Sequence, residues 1–205
     1  HIRHSEKVFN MKRLLLIIIL TLSFQTLTKA DDIRDFEIEG MSIGDSLLDY
    51  FTKEEIESRN KTYHYSVKDF YQIDFKNISK LYERISFDIE DGDKNFIIAN
   101  IEGATEFKNK NKNKNECKKS KSEIVNILIQ NYPNLTNVED AGKLSWDKSG
   151  KSIYERVSFK ISSQKDYQIK VICQFWDEST PFGYWLKVGI ASEAFNEFLT
   201  NKAYK

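Results

Sequence analysis

Hydrophobic and polar residues alternate most clearly in two segments that nearly copy one another. Tyr82-Glu83-Arg84-Ile85-Ser86-Phe87 returns 72 positions later as Tyr154-Glu155-Arg156-Val157-Ser158-Phe159. At the same offset Leu81 matches Ile153, Ile89 matches Ile161 and Ile97 matches Ile169. Apolar residues at every second position mark a strand with one buried face. The first copy predicts a strand over 81–90 with Ile85, Phe87 and Ile89 inward. Asp91-Gly92 then predicts a tight turn, because both residues tolerate positive φ, and a returning strand over 96–101. The second copy predicts Val157, Phe159 and Ile161 inward, answered by Tyr167, Ile169, Val171, Cys173 and Phe175. Tyr71, Ile73 and Phe75 form an earlier alternating set. Tyr184, Leu186, Val188 and Ile190 form a later one, and Leu144 with Trp146 reads as a short strand.

Other segments carry helical spacing. Leu47, Leu48, Phe51 and Ile56 predict a helix over about 45–58, capped by Ser42 or Asp45. Ile124, Ile127 and Leu128 predict a second, starting near Ser120 or Ser122 and stopped by Pro133. Ala194, Phe195, Phe198 and Leu199 predict a short helix near the C-terminal end. The expected fold is α+β: two repeated units, each a helix followed by an antiparallel meander, plus that last helix. The units are 31–107 and 123–205. Between them, 108–122 is rich in Lys and Asn with a single acid, and reads as a solvated connector.

The N-terminal end changes what counts as fold. Met11-Lys12-Arg13 precedes an uncharged apolar run, Leu14 to Phe24, and a polar stretch ending in Ala30. That order is a secretory signal peptide over 11–30, with an uncleaved anchor as the alternative. The run falls short of the roughly 20 residues that span a bilayer, so no transmembrane segment is expected in the mature chain. Residues 1–10 precede Met11 and read as a non-native or untranslated leader. The expected location is periplasmic or secreted.

Residues 1–30 hold five Lys or Arg and one Glu. The remaining 175 residues therefore carry 26 basic and 30 acidic side chains, a net charge of −4. That balance argues against nucleic acid as a partner. The Lys/Asn-rich segment also lacks the aromatic residues that stack bases. The two cysteines, Cys117 and Cys173, fit one disulfide in an exported chain. Two free thiols or a redox pair are the alternatives, although no Cys-x-x-Cys spacing exists.

Catalytic patterns are sparse. His64, between two tyrosines, is the one histidine after residue 30, and no serine sits in a Gly-x-Ser-x-Gly frame. No His/Cys cluster has zinc spacing. Asp88, Glu90, Asp91 and Asp93 cluster without the spacing of a helix-loop-helix calcium site and read as solvated turn acids. Gly40 to Leu47 lacks the lysine of a phosphate loop and reads as a helix start. No catalytic, cofactor-binding or metal residue is assigned. Glu83 and Glu155 are the pair that an acid-based hydrolase of the cell envelope would use. The leading expectation is a non-catalytic binding protein with a protein or envelope partner; a structural envelope protein is a third class. Trp176 and Trp185 flank the 177–183 loop on the face opposite the core set. They are the candidate partner surface, unless a helix covers that face.

The architecture over 40–190, with Gly40-Met41-Ser42-Ile43-Gly44-Asp45-Ser46-Leu47 as its helix entry, resembles the tandem-repeat β-lactamase inhibitor proteins. A single unit is similar to the small outer-membrane assembly lipoprotein domain, although no lipidated Cys follows the cut. The chain also resembles exported proteins of AT-rich bacterial genomes. The resemblance implies a helix-plus-meander fold and a contact function; fold analogy alone does not carry activity.

Overall fold

The alternating segments pair into one antiparallel sheet rather than two. The computed structural model describes residues 36–107, 110–161 and 168–205; the expected leader, the signal segment and Tyr167 lie outside them. A 3₁₀ turn, Leu47–Asp49, and α1 (Lys53–Glu57) precede β1 (Phe70–Lys76), β2 (Arg84–Glu90) and β3 (Asn100–Phe107). Helix α2 (Lys110–Asn131) leads to β4 (Leu135–Lys143), β5 (Ile153–Ile161), β6 (Gln168–Phe175) and β7 (Tyr184–Ala191), and α3 (Glu193–Asn201) follows. The strand order is β1-β2-β3-β7-β6-β5-β4. The two meanders meet where β7 pairs with β3, from Asn100↔Ala191 to Phe107↔Tyr184.

This overturns the expectation of two repeated helix-plus-meander units. There is one seven-stranded sheet, and the first meander has no helix comparable to α2. The predicted helix over 45–58 splits in two. Ser46 caps the 3₁₀ turn, and Thr52 forms a capping box with Glu55 that starts α1 afresh. A capping box fixes a helix start, so the apolar stripe on either side of Thr52 cannot stay in one phase. The connector is corrected too: from Lys110 onward it is the first half of α2. Lysine is a good helix former, and Cys117 bonds to Cys173 on β6, which pins this part of the helix to the sheet. Helix α2 ends at Asn131, one residue clear of Pro133, as expected. The returning strand β3 begins at Asn100, not at 96, because Asp93 holds the preceding loop through the Asn95 and Ile97 N–H groups. The strand read at Leu144 and Trp146 lies instead at Leu135–Lys143.

One sheet face carries the core. Ile73, Phe75, Ile85, Phe87, Ile101, Val157, Phe159, Val171, Val188 and Ile190 are all buried there. Helix α2 covers the β6–β7 side with Cys117, Ile124, Val125 and Leu128. The 36–57 segment covers the other side, where Phe51 stacks on Phe75 at 4.2 Å between ring centroids. Ile85 and Val157, the matched positions of the two alternating copies, thus share one core. Their leading tyrosines differ. Tyr82 lies over Gly103, where a Cβ would meet its ring at 2.6 Å, whereas Tyr154 lies over Gly142 on the opposite face. Helix α3 packs on that opposite face at one end, with Phe195 and Phe198 against Phe70, Ala191 and Tyr65.

The disulfide closes 56 residue steps between α2 and β6, and loop entropy puts the stabilisation of such a link at about 4 kcal/mol. Cys117→Ala with Cys173→Ala is expected to lower the unfolding free energy measured by denaturant titration by roughly 2–4 kcal/mol, the range typical of disulfides. Equal unfolding curves with and without the bond would remove it as a structural support.

Candidate interaction surface

The strands that bury one face present the other to solvent, and no helix among the described residues covers it beyond the α3 end. Register fixes the rows on this face. One row runs Asp74, Ser86, Glu102, Gly189, Lys170, Ser158, Val138. The next runs Lys76, Arg84, Ala104, Lys187, Ile172, Arg156, Asp140. Carboxylates Asp74, Asp88 and Glu102 stand on β1–β3. Cations Lys187, Lys170 and Arg156 stand on β7, β6 and β5.

Most of these charges are paired. Lys187 Nζ lies 2.8 Å from Glu102, and Arg84 lies 3.8 Å from Asp74. Arg156 grips Asp140 with two N–H groups, Nε at 2.8 Å and a terminal nitrogen at 2.6 Å, while the Tyr154 hydroxyl adds a third bond at 3.1 Å. That two-pronged contact holds the Asp140 carboxyl below its ordinary range, since it favours the charged form. Lys170 differs. Among the described residues it makes no ion pair, and burial, reinforced by the positive charge of Arg156, lowers its ammonium to about 8. Glu102 and Asp140 pull the other way, while Lys160 adds to the depression.

Trp185 sits on this face as expected, half-buried between Glu106 and Gln174, with the Arg84 guanidinium 5.1 Å from its ring. Trp176 lies just past β6 and packs on Phe182 at 4.8 Å, also half-buried. Both candidate tryptophans are thus partly covered by their own neighbours. The most exposed aromatic side chains of the neighbouring loops are Trp146, at 62%, and Phe182, at 47%. Those loops touch where Asp177 N–H donates to Ser152 Oγ at 2.8 Å.

Glu83 and Glu155 do not converge. Glu155 faces the core side and pairs with Lys118 and Lys121 of α2, at 2.6 and 3.7 Å. Glu83 is exposed next to β2, and β2 and β5 are four strand steps apart in the sheet, roughly 19 Å at ordinary strand spacing. Among the described residues no three His, Cys, Asp or Glu side chains gather as metal ligands, and no helix is long and apolar enough to cross a membrane.

One acid departs from the expected solvated turn. Asp88 is 3% exposed. Its Oδ2 accepts from Asn100 Nδ2 at 2.8 Å and from Gln72 Nε2 at 3.3 Å, and Gln72 Oε1 in turn meets His64 Nε2 at 3.0 Å. Asp88 stands between the inward residues Phe87 and Ile89. An acid in that outward phase of a strand reads as solvated, so the spacing gives no warning. Its nearness to Tyr65, beneath α3, explains the burial. Comparison with protein families, curated proteins and solved structures returns no match to the chain.

Burial raises the Asp88 carboxyl from 3.8 to about 7, against the lowering effect of the Asn100 and Gln72 amides. Folding therefore takes up a proton between those values, and stability falls as pH rises through that window. The slope from this group is on the order of 1.4 kcal/mol per pH unit. Asp88→Asn keeps an oxygen acceptor for both amides. It is expected to flatten the pH dependence of the unfolding free energy between about pH 4 and 7. An unchanged profile would show that Asp88 ionises normally.

Proposed function

We propose that this chain is an exported binding protein that holds a protein partner on the outward face of its sheet, with an acidic group of the partner seated at Lys170. The observation that carries the reading is Lys170 itself: a half-buried ammonium among Arg156, Ile172 and Lys187, with no ion-pair partner among the described residues. Burying a cation without a counter-charge is costly, and an incoming carboxylate removes that cost while forming a charge-assisted bond. On the same face, Arg156 stands in the next row and Tyr154 and Trp185 in the row beyond it, and these are the residue types that dominate binding energy at protein interfaces. The bipolar rows give a partner one preferred orientation, because charge pattern decides specificity and encounter rate more than raw affinity. Export to the periplasm or beyond is supported by the signal-like segment at 11–30 and by a disulfide, which persists in oxidising compartments.

The test is capture from the extracytoplasmic fraction, identification of the partner, and titration of that partner against variants. Lys170→Glu places a carboxylate against a carboxylate and is expected to weaken binding at least tenfold, about 1.4 kcal/mol. Trp185→Ala is expected to weaken it as well, while Lys119→Glu, on the exposed side of α2, leaves it unchanged. Affinity should also decline as pH rises through about 8, where Lys170 loses its charge. A partner that binds Lys170→Glu as tightly as the parent removes the face from this role. Retention by isolated envelope, regardless of either variant, would instead favour a structural envelope protein.

A further inference from the structure

The two terminal strands of the sheet are not alike. On β1, Thr62 exchanges two backbone hydrogen bonds with Gln72, at 2.9 and 2.8 Å, and Lys61 lies 4.0 Å over the Tyr71 ring. That edge is occupied. On β4, all nine residues pair with β5 in unbroken register, and no described segment pairs with the other side. The strand has no proline and no bulge to blunt the edge; its charges, Glu139, Asp140 and Lys143, lie in its second half, and Asp140 is engaged by Arg156. Most of its residues are exposed on both faces, and Val138 is 67% exposed on the outward face. A long open edge with a bare β-branched residue at its middle is a template for another strand.

The geometry points to a second copy of this chain as the occupant, with β4 pairing antiparallel to β4 about Val138. A two-fold axis normal to the sheet pairs residues of the same face, which leaves few registers to compare. Centring on Glu139 sets that carboxylate opposite its own copy, and centring on Asp140 does the same; like charges directly opposed are destabilising. Centring on Ala141 sets Glu139 opposite Lys143 but uses only the 139–143 end of the strand. It also leaves Val138 opposite Leu144, which is already buried at 5% and lies outside the strand. Centring on Val138 uses residues 135–141. It sets Leu135 opposite Ala141, Thr136 opposite Asp140 and Asn137 opposite Glu139. No like charges meet, and the two exposed valines cover each other. Centring on Asn137 opposes no like charges but uses only residues 135–139 and sets Glu139 opposite Leu135. Of these registers, the one on Val138 uses the most residues without opposing like charges, and it alone sets the exposed valines against each other.

The axis keeps both outward faces on one side, so the dimer doubles the seven-stranded sheet into one continuous surface bearing two Lys170 positions. The contact is narrow, held by backbone hydrogen bonds and one valine pair, so the association is weak and concentration-dependent. It does not depend on the binding role assigned to Lys170.

Sedimentation equilibrium of the exported chain over a wide concentration range tests the association, and cysteine pairing tests the register. The expected result is a reversible monomer–dimer equilibrium. Val138→Cys should oxidise to a covalent dimer faster than Glu139→Cys or Ala141→Cys, because position 138 alone faces itself across the axis. Val138→Lys opposes two ammonium groups at the centre. It should be monomeric with an unchanged circular dichroism spectrum, since the side chain is exposed in the single chain. A parent chain that stays monomeric at every concentration overturns the inference. So does a dimer that survives Val138→Lys, or one that cross-links faster through position 139 or 141.

Discussion

The pairing of β3 with β7 is the contact on which the rest of this molecule depends. Eight register pairs join the last strand of the first meander to the last strand of the second. Without them the chain would hold a three-stranded and a four-stranded piece, each with a buried face half covered. With them, Ile101 and Ile190 stand side by side in one core, and a single layer over that core serves both halves. The long α2 makes this topology possible. It carries the chain from β3, at the middle of the sheet, to β4, at the far edge, and the remaining strands step back to close against β3. The disulfide lies on this crossing: Cys117 of α2 bonds to Cys173 on β6, beside the junction strand β7, so the helix that bridges the halves is fixed to the strands beneath it.

Such an arrangement divides the surface unequally. The core face takes α2 and the 36–57 segment, whereas among the described residues the outward face takes α3, with Tyr65 and Val67, at one end. Phe195 and Phe198 need apolar ground, and Phe70 with Ala191 supply it only there. Beyond that end the rows turn polar, and a helix laid over Lys187, Lys170 and Arg156 would have to match their charges one by one. Charged rows thus disfavour an apolar cover over the rest of this face.

Much of the strand content was legible in the sequence, for a physical reason. β1, β2, β5, β6 and β7 each turn an apolar residue to the core at every second position, so packing writes a two-residue period into the chain. β4 writes none. It is an edge with both faces exposed, and Leu135-Thr136-Asn137-Val138-Glu139 has no inward set to betray it. The helices through Ile124–Leu128 and Phe195–Leu199 are present, and two other readings failed differently. The stripe Leu47, Phe51, Ile56 is a product of packing onto the sheet, not of one helix, and Thr52 breaks it. The Lys/Asn run hid a helix because composition signals solvation, while its order comes from a bond between Cys117 and a residue 56 positions away. Of the candidate surface, Trp185 followed from alternation. Lys170 and Asp88 did not, since the depth of an outward-phase residue is set by neighbours on other strands, which sequence spacing does not encode. The expected pairing of two repeated units failed at this same level. Five identical letters of six record two similar strands, but the strands next to them decide what each strand belongs to.

The energetics of the outward face separate stability from recognition. Exposed ion pairs contribute about 0–1 kcal/mol each, and half-buried ones return little more once desolvation is counted. Lys187 with Glu102 and Arg156 with Asp140 are half-buried, so hydrophobic residues in those rows would hold the sheet at least as well. Lys170 sharpens the point. Its lowered ammonium is a net cost to the folded chain, because the fold disfavours the very charge that the side chain carries at neutral pH. A sheet under selection for stability alone would place an apolar residue there, as it does at Ile172 in the next row of the same strand. Among the described residues, the carboxylates of Glu102 and Asp140 offset part of that cost without forming an ion pair with the ammonium, and the uncompensated remainder is what the proposed carboxylate of a partner would recover.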